Sequence, residues 1–285
     1  MNAPLYIGAL LTNLRTGMRL VQIDSFTSTP FSGNPAGVCL VDVWPSDKWM
    51  QDVAAEMNLA ETAFVMPDRE GGYGLRWFTP LAEVDLCGHA TLAAAHHLWE
   101  SGTHPLDGPI RFATRSGTLG ASREGDWIAL DFPRESPSPA EVPGIEEAIG
   151  RRPVWTGRNR MDVIAVFESE EQVRALAPDL NAIAAIDARG VIATAAADKS
   201  TDADFVSRFF APRVGVPEDP VTGSAHCCLA PFWSQRFDRI ELTGFQASRR
   251  GGFVRTRING DRVTLLGQAV TVFDARFARE VISDQ

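Results

Sequence analysis

Short apolar blocks separated by Gly, Pro and Asn mark most of the chain's elements. Arg19 to Asp24 and Val38 to Val41 read as strands, with the loop Phe31-Ser32-Gly33-Asn34-Pro35-Ala36-Gly37 between them. Ser46 and Asp47 can cap a helix whose apolar face is Met50, Val53, Ala54 and Met57 and which ends near Asn58. Ala63 to Met66 and Gly74 to Phe78 follow as strands, the second stopping at Thr79-Pro80. The loop Leu86-Cys87-Gly88-His89-Ala90-Thr91 then opens a helix to Trp99 that is Ala and Leu on nearly every side. A helix apolar all round belongs inside something, and a sheet curled around it is the simple way to bury it. Strands are expected at Ile110 to Thr114, Gly117 to Ser122 and Trp127 to Phe132, the last two joined by a turn at Glu124-Gly125-Asp126.

The second half repeats this order. Arg76-Trp77-Phe78-Thr79-Pro80 is matched 132 residues later by Arg208-Phe209-Phe210-Ala211-Pro212. Gly88 and Gly223, Ala90 and Ala225, Gly117 and Gly252, Gly125-Asp126 and Gly260-Asp261, and Leu130 and Leu265 are each 135 apart, so three extra residues fall between Pro212 and Gly223. Val163 to Phe167 and Gly190 to Ala195 are strands flanking a helix at Glu170 to Ala177. Agreement in element order and offset points to two copies of one unit. The expected layout is a first domain over 18–133, a Pro- and Ser-rich linker over 134–143 and a second domain over 144–285. Residues 1–17 show no periodicity and read as an extension before a natural start at Met18.

Charge and cysteine content narrow the class. With 27 Lys plus Arg against 36 Asp plus Glu, the net charge of −9 argues against nucleic acid, whose binders present a basic footprint. Four cysteines are too few to staple 285 residues, and no CxxC or HExxH spacing supports a metal site. The apolar stretch Leu5 to Leu11 is too short to span a membrane and lacks the basic flank of a signal peptide. The expectation is a cytoplasmic protein with reduced thiols and no structural zinc site.

Two equivalent loops carry the candidate chemistry: Cys87 to Thr91 and Val221 to Ala225, each opening a buried helix. Backbone N–H groups at such a position suit an anion. If two similar domains face each other across a pseudo-twofold, the helix ends converge on a cleft able to hold a small carboxylate, with acid–base groups at its edge. Glu61, His89 and Asp219 are the candidates. Each has a plainer reading, as a solvated strand-start Glu, a capping or core imidazole and a turn aspartate. Ser224 can bind a ligand or serve as an N-cap, and Cys227, Cys228, His96 and His97 read as packing residues.

The blocks Ile23-Asp24-Ser25-Phe26, Gly33-Asn34-Pro35-Ala36, Asn58-Leu59-Ala60-Glu61-Thr62-Ala63-Phe64, Cys87-Gly88-His89-Ala90-Thr91-Leu92 and Glu218-Asp219-Pro220-Val221-Thr222-Gly223-Ser224-Ala225 resemble the signature blocks of the PhzF-like (phenazine biosynthesis-like) family. The resemblance implies an α+β diaminopimelate-epimerase-like fold of two similar domains, each a barrel-like sheet around a central helix, with the active site between them. It implies a homodimer and a cofactor-free isomerase. The family's isomerase moves a proton on a dihydro-hydroxyanthranilate with a Glu that corresponds to Glu61. His89 and Asp219 join it as catalytic residues, and Asn34, Gly88, Thr91, Thr222, Gly223 and Ser224 as substrate-binding residues. Gln246, Arg250 and Asn34 are expected to choose the substrate. Related racemases use two thiols; here Cys87 holds the first position and the second loop offers Asp219. An amino-acid racemase or epimerase using Cys87, or a non-catalytic binder of small anionic metabolites, are the alternatives.

Overall fold

The computed structural model describes residues 18–278, so the expected extension at 1–17 lies outside them. They form two compact units. The first contains β1 (Arg19–Ser25), nearly all of β2 (Asn34–Leu40), α1 (Asp47–Met57), β3 (Glu61–Pro67), β4 (Tyr73–Phe78), β5 (Glu83–Val84), α2 (Gly88–Glu100), β6 (Ile110–Thr114), β7 (Gly117–Glu124) and most of β8 (Trp127–Pro133). The second contains β9 (Ser138–Pro139), α3 (Ile145–Ile149), β10 (Trp155–Arg158), β11 (Asp162–Val166), α4 (Glu170–Arg174), α5 (Leu180–Ala185), β12 (Gly190–Ala196), β13 (Phe205–Ala211), β14 (Val216–Asp219), α6 (Gly223–Phe237), β15 (Glu241–Gln246), β16 (Gly252–Asn259) and β17 (Arg262–Gly267). The last strand, β18 (Ala269–Arg276), returns to the first unit, running antiparallel to β1 from Arg19↔Arg276 to Ser25↔Ala269.

Local chemistry sets the element ends. Ser46 Oγ accepts the Trp49 N–H at 3.2 Å to start α1, and Asn58 closes it in the left-handed region at φ 50°. The helix expected over Glu170 to Ala177 stops at Arg174, ahead of Pro178, which disfavours helical geometry in the residue before it. Asp179 then caps α5, its carboxylate accepting the Asn181 and Ala182 amides at 2.9 and 3.2 Å.

Within each unit the strands pair in the same way. In the first, β2 is parallel to β3, β3 antiparallel to β4, and β4 parallel to β6. In the second, β11, β12, β13 and β15 repeat that sequence of parallel, antiparallel and parallel pairings. The matched arginines sit at matching places: Arg76 forks onto Glu83 at 2.7 and 2.8 Å, and Arg208 onto Glu218 at 2.7 and 3.0 Å. Each guanidinium also lies over a phenylalanine of its own strand, Phe78 or Phe210. The stretch with the extra residues includes a 3-10 turn, Pro212–Val214.

The stretch expected as a linker is built into the second unit. Ser138 and Pro139 pair with Arg158 and Gly157, the Arg134 N–H donates to the Asp261 carbonyl, and the Glu135 N–H to that of Cys227. Sequence order also assigned 144–285 to the second domain, whereas the structure gives residues 268–278 to the first unit and Ser32–Asn34 to the second. The open edge of β1 accounts for the return of β18.

The helices that periodicity marked as enclosed are buried on almost every side. On α2, Ala90, Leu92, Ala93, Ala94, Ala95 and Leu98 have no exposed surface; α6 buries Ala225, Cys227, Cys228, Leu229, Ala230, Phe232 and Trp233. Truncating such a residue removes transfer free energy and leaves a cavity. Leu92→Ala is expected to cost about 2–5 kcal/mol in urea unfolding, while Leu81→Ala, at an exposed loop position, should change stability by about 0.5 kcal/mol or less.

Candidate functional site

In the first unit, Glu61 is the first residue of β3, placed by pairing with Ala36 of β2. Cys87 is the residue before α2 and His89 lies in its first turn. Cys87 does not cap the helix with its side chain; its thiol lies 3.5 Å from His89 Nδ1. The other ring nitrogen, Nε2, is 3.2 Å from Glu61 Oε2. The imidazole thus stands between a thiol and a carboxylate, one nitrogen toward each. Ser25 Oγ donates to the His89 carbonyl at 2.8 Å and Thr91 Oγ1 to that of Cys87 at 2.5 Å, fixing the loop.

Burial pushes His89 down to about 3, so its ring is neutral at physiological pH. A neutral imidazole has one donor and one acceptor. With the proton on Nε2 the ring faces Glu61 Oε2 at 3.2 Å as a donor, and Nδ1 then faces the Cys87 thiol as an acceptor. Glu61, Cys87 and His89 also form the one O, S and N group among the described residues close enough to hold a metal ion, with ligand atoms within 4.8 Å of one another. The divided use of the two ring nitrogens fits a proton relay better than a chelate, which needs one nitrogen facing the same ion as both partners.

The second unit gathers Asn34, Asp219, Thr222, Gly223 and Ser224. Thr222 precedes α6 and likewise leaves its side chain out of capping: its hydroxyl donates to Asp219 Oδ2 at 2.6 Å. The Asn34 amide donates to Asp219 Oδ1 at 2.8 Å and to the Val221 carbonyl at 2.9 Å. Gln246, fully buried, accepts the Thr222 N–H at 2.9 Å and donates to the Asp219 carbonyl at 2.7 Å. Arg250 donates to the carbonyls of Gly33 and Ser32 at 2.8 and 2.9 Å. Of the three residues expected to select substrate, Asn34 and Gln246 contact the loop that carries Asp219, and Arg250 contacts the turn at Ser32 and Gly33. Ser224 is not an N-cap, since Thr222 holds that position.

Sequence reasoning missed Arg189 and Asp162. Arg189 forks onto the buried Asp162 carboxylate at 2.9 and 2.5 Å and donates to Ser224 Oγ at 2.9 Å. No motif or spacing marks Arg189, which sits immediately before β12. Thr91 is fully buried with its hydroxyl committed to Cys87. His96 and His97 are half-buried on α2, and Cys227 and Cys228 are core thiols pushed up by burial, Cys227 to about 12. No helix among the described residues is long and apolar enough to cross a membrane.

A probable proline racemase from Agrobacterium radiobacter shares the fold at a TM-score of 0.60 and 12% identity, covering 92% of this chain and 93% of its own. The family model for phenazine biosynthesis-like proteins matches residues 23–275, and the chain belongs to that family. An uncharacterized isomerase of Halalkalibacterium halodurans is 51% identical over 252 residues, 88% of this chain and 94% of the relative. A PhzF-family structure from Enterococcus faecalis superposes with a TM-score of 0.87 at 37% identity, covering 91% of this chain and 98% of its own. The protein is an enzyme of the isomerase type.

Asp219 gives the site a measurable signature. Burial raises its carboxyl from 3.8 to about 6, against the opposing pull of Thr222, Asn34 and Arg189. The folded state therefore holds a proton that the unfolded chain releases near pH 4. This contribution to stability is full below about pH 4 and is lost as pH rises through about 6, by at most roughly 3 kcal/mol for two pKa units. Buried neutral histidines, His89 and His226 among them, shift stability the opposite way over this range. The Asp219 contribution is therefore read as the difference between wild type and Asp219→Asn in urea unfolding, which should move against wild type by up to roughly 3 kcal/mol between pH 4 and 7.

Proposed function

We propose that the enzyme moves a proton within a small carboxylate-bearing substrate, without an organic cofactor, and that Glu61 takes and returns that proton. The observation that carries this reading is the Glu61–His89 pair. The carboxylate retains 18% side-chain exposure while its partner imidazole is buried and neutral. A neutral donor orients the carboxylate without cancelling its charge, which leaves a directed base. The substrate C–H bond breaks toward Glu61, its electron pair passes into an enolate, and the proton returns to another carbon. Amide N–H groups of Gly88 and His89, at the positive end of α2, would hold the anionic group. In the second unit the same reading makes Asp219 a proton carrier and the amides of Gly223 and Ser224 an anion hold. A cytosolic homodimer belongs to this reading by family resemblance.

The Cys87 thiol at 3.5 Å from His89 Nδ1 supports a second reading, epimerisation with Cys87 as the acid–base group. Label uptake by candidate carboxylates in D₂O, followed by NMR, separates the two. Glu61→Gln is expected to lose about 10²–10⁴-fold in exchange rate, with Cys87→Ser near wild type. Loss in Cys87→Ser, together with inactivation by a thiol alkylator, would establish the second reading. Full exchange in Glu61→Gln would sink the first. A ligand that raises the melting temperature while no label enters would make the protein a binder.

A further inference from the structure

A hollow of about 540 Å³ on the second unit is lined by nine residues, four of them arginines: Arg158, Arg160, Arg189 and Arg213, with Asp187 the one acid. For a chain of net charge −9 this is a local reversal of sign. Three elements supply the guanidiniums: the end of β10, the residue before β12, and the 3-10 turn Pro212–Val214.

How these side chains are held decides what the hollow can do. Arg158 is fixed by a neutral group, donating from Nη1 to the Asp187 carbonyl at 2.7 Å, and makes no ion pair with a carboxylate among the described residues. Arg213 Nη1 donates to the Ile186 carbonyl at 3.1 Å and to Asp187 Oδ1 at 2.9 Å. The Asp187 side chain is 97% exposed, so water screens most of its effect on that charge. Arg160 pairs with Glu135 and Arg189 with Asp162, neither of which lines the hollow. Backbone carbonyls thus preposition Arg158 and Arg213, whose forks retain N–H groups beyond those used, while Arg160 and Arg189 are held by carboxylates outside the hollow. Planar forks in this arrangement match the oxygens of phosphate or carboxylate groups.

We infer that this hollow is a binding site for a small doubly charged oxyanion, a phosphate or a dicarboxylate. It abuts the candidate site, since Arg189 lines it and also reaches Ser224 Oγ in the first turn of α6. The inference does not depend on the acid–base reading of Glu61.

Calorimetric titration of the full chain with inorganic phosphate, and separately with succinate, tests it at constant ionic strength. At least one probe should bind saturably, with affinity falling as NaCl rises. Arg158→Gln is expected to weaken binding about tenfold, and Arg158→Gln with Arg213→Gln to weaken it further. Arg69→Gln, in a loop of the first unit, should bind like wild type. Arg213→Gln alone, in an exposed turn, keeps the test open if the double variant misfolds, which its melting temperature reports. Phosphate binding alone identifies a phosphate or phosphate-ester ligand; succinate binding alone identifies a dicarboxylate. No saturable binding of either probe, or equal affinity in the folded arginine variants, would overturn the site.

Discussion

Enclosing a helix that has no polar face governs the rest of this structure. Such a helix is stable only when strands cover its whole circumference, and that closure leaves its ends as the reachable backbone. At the N-terminal end the amide N–H groups have no intrahelical acceptors, and they carry the positive end of the helix dipole. In both units the residue before the helix, Cys87 or Thr222, directs its side chain to a neighbour instead of to those amides. The same packing that excludes water from the helix body therefore concentrates donors, and the side chains beside them, at one end.

That exclusion of water also sets the protonation states. His89 cannot gain charge cheaply in its surroundings and stays neutral far below its ordinary range, while the Asp219 carboxyl holds its proton up to about pH 6. Both effects have one cause, desolvation, acting on groups of opposite charge type. Direct hydrogen bonds do not reverse it: Thr222 and Asn34 both donate to Asp219 and only moderate the shift. The consequence is a first-unit cluster with a ring that can relay hydrogen bonds without becoming a cation, and a second-unit carboxyl that titrates in the range where acid–base chemistry works.

Much of this was legible because the chain repeats itself. Arg76 and Arg208 mark equivalent strands, and the glutamates they fork onto, Glu83 and Glu218, stand 135 residues apart, like the glycines that open the helices. Apolar periodicity located the long elements and the two enclosed helices. It could not find β9, β10, α3 or α5, whose few residues complete no recognisable period. Nor could it show which way a polar side chain turns. Gln246 and Arg250 were expected to line the cleft beyond the loops; the sequence could not show that Gln246 contacts the loop at Asp219 and Arg250 the turn at Gly33. Arg189 was invisible for a related reason: its contacts with Asp162 and Ser224 span 27 and 35 residues of sequence and exist only once β12 lies beside β11.

The two units show how far one scaffold can diverge at its reactive end without altering its core. The strand pairings, the arginine forks and the buried helix are kept, because each is tied to packing on several sides. The units differ at the residues before and within the helix's first turn and those beside them: thiol, imidazole and a strand-borne carboxylate in one; hydroxyls, a loop carboxyl and an arginine in the other. The unlike groups give each unit its own protonation chemistry: a neutral imidazole beside a thiol and a carboxylate in the first, and a carboxyl raised by burial to about 6 in the second.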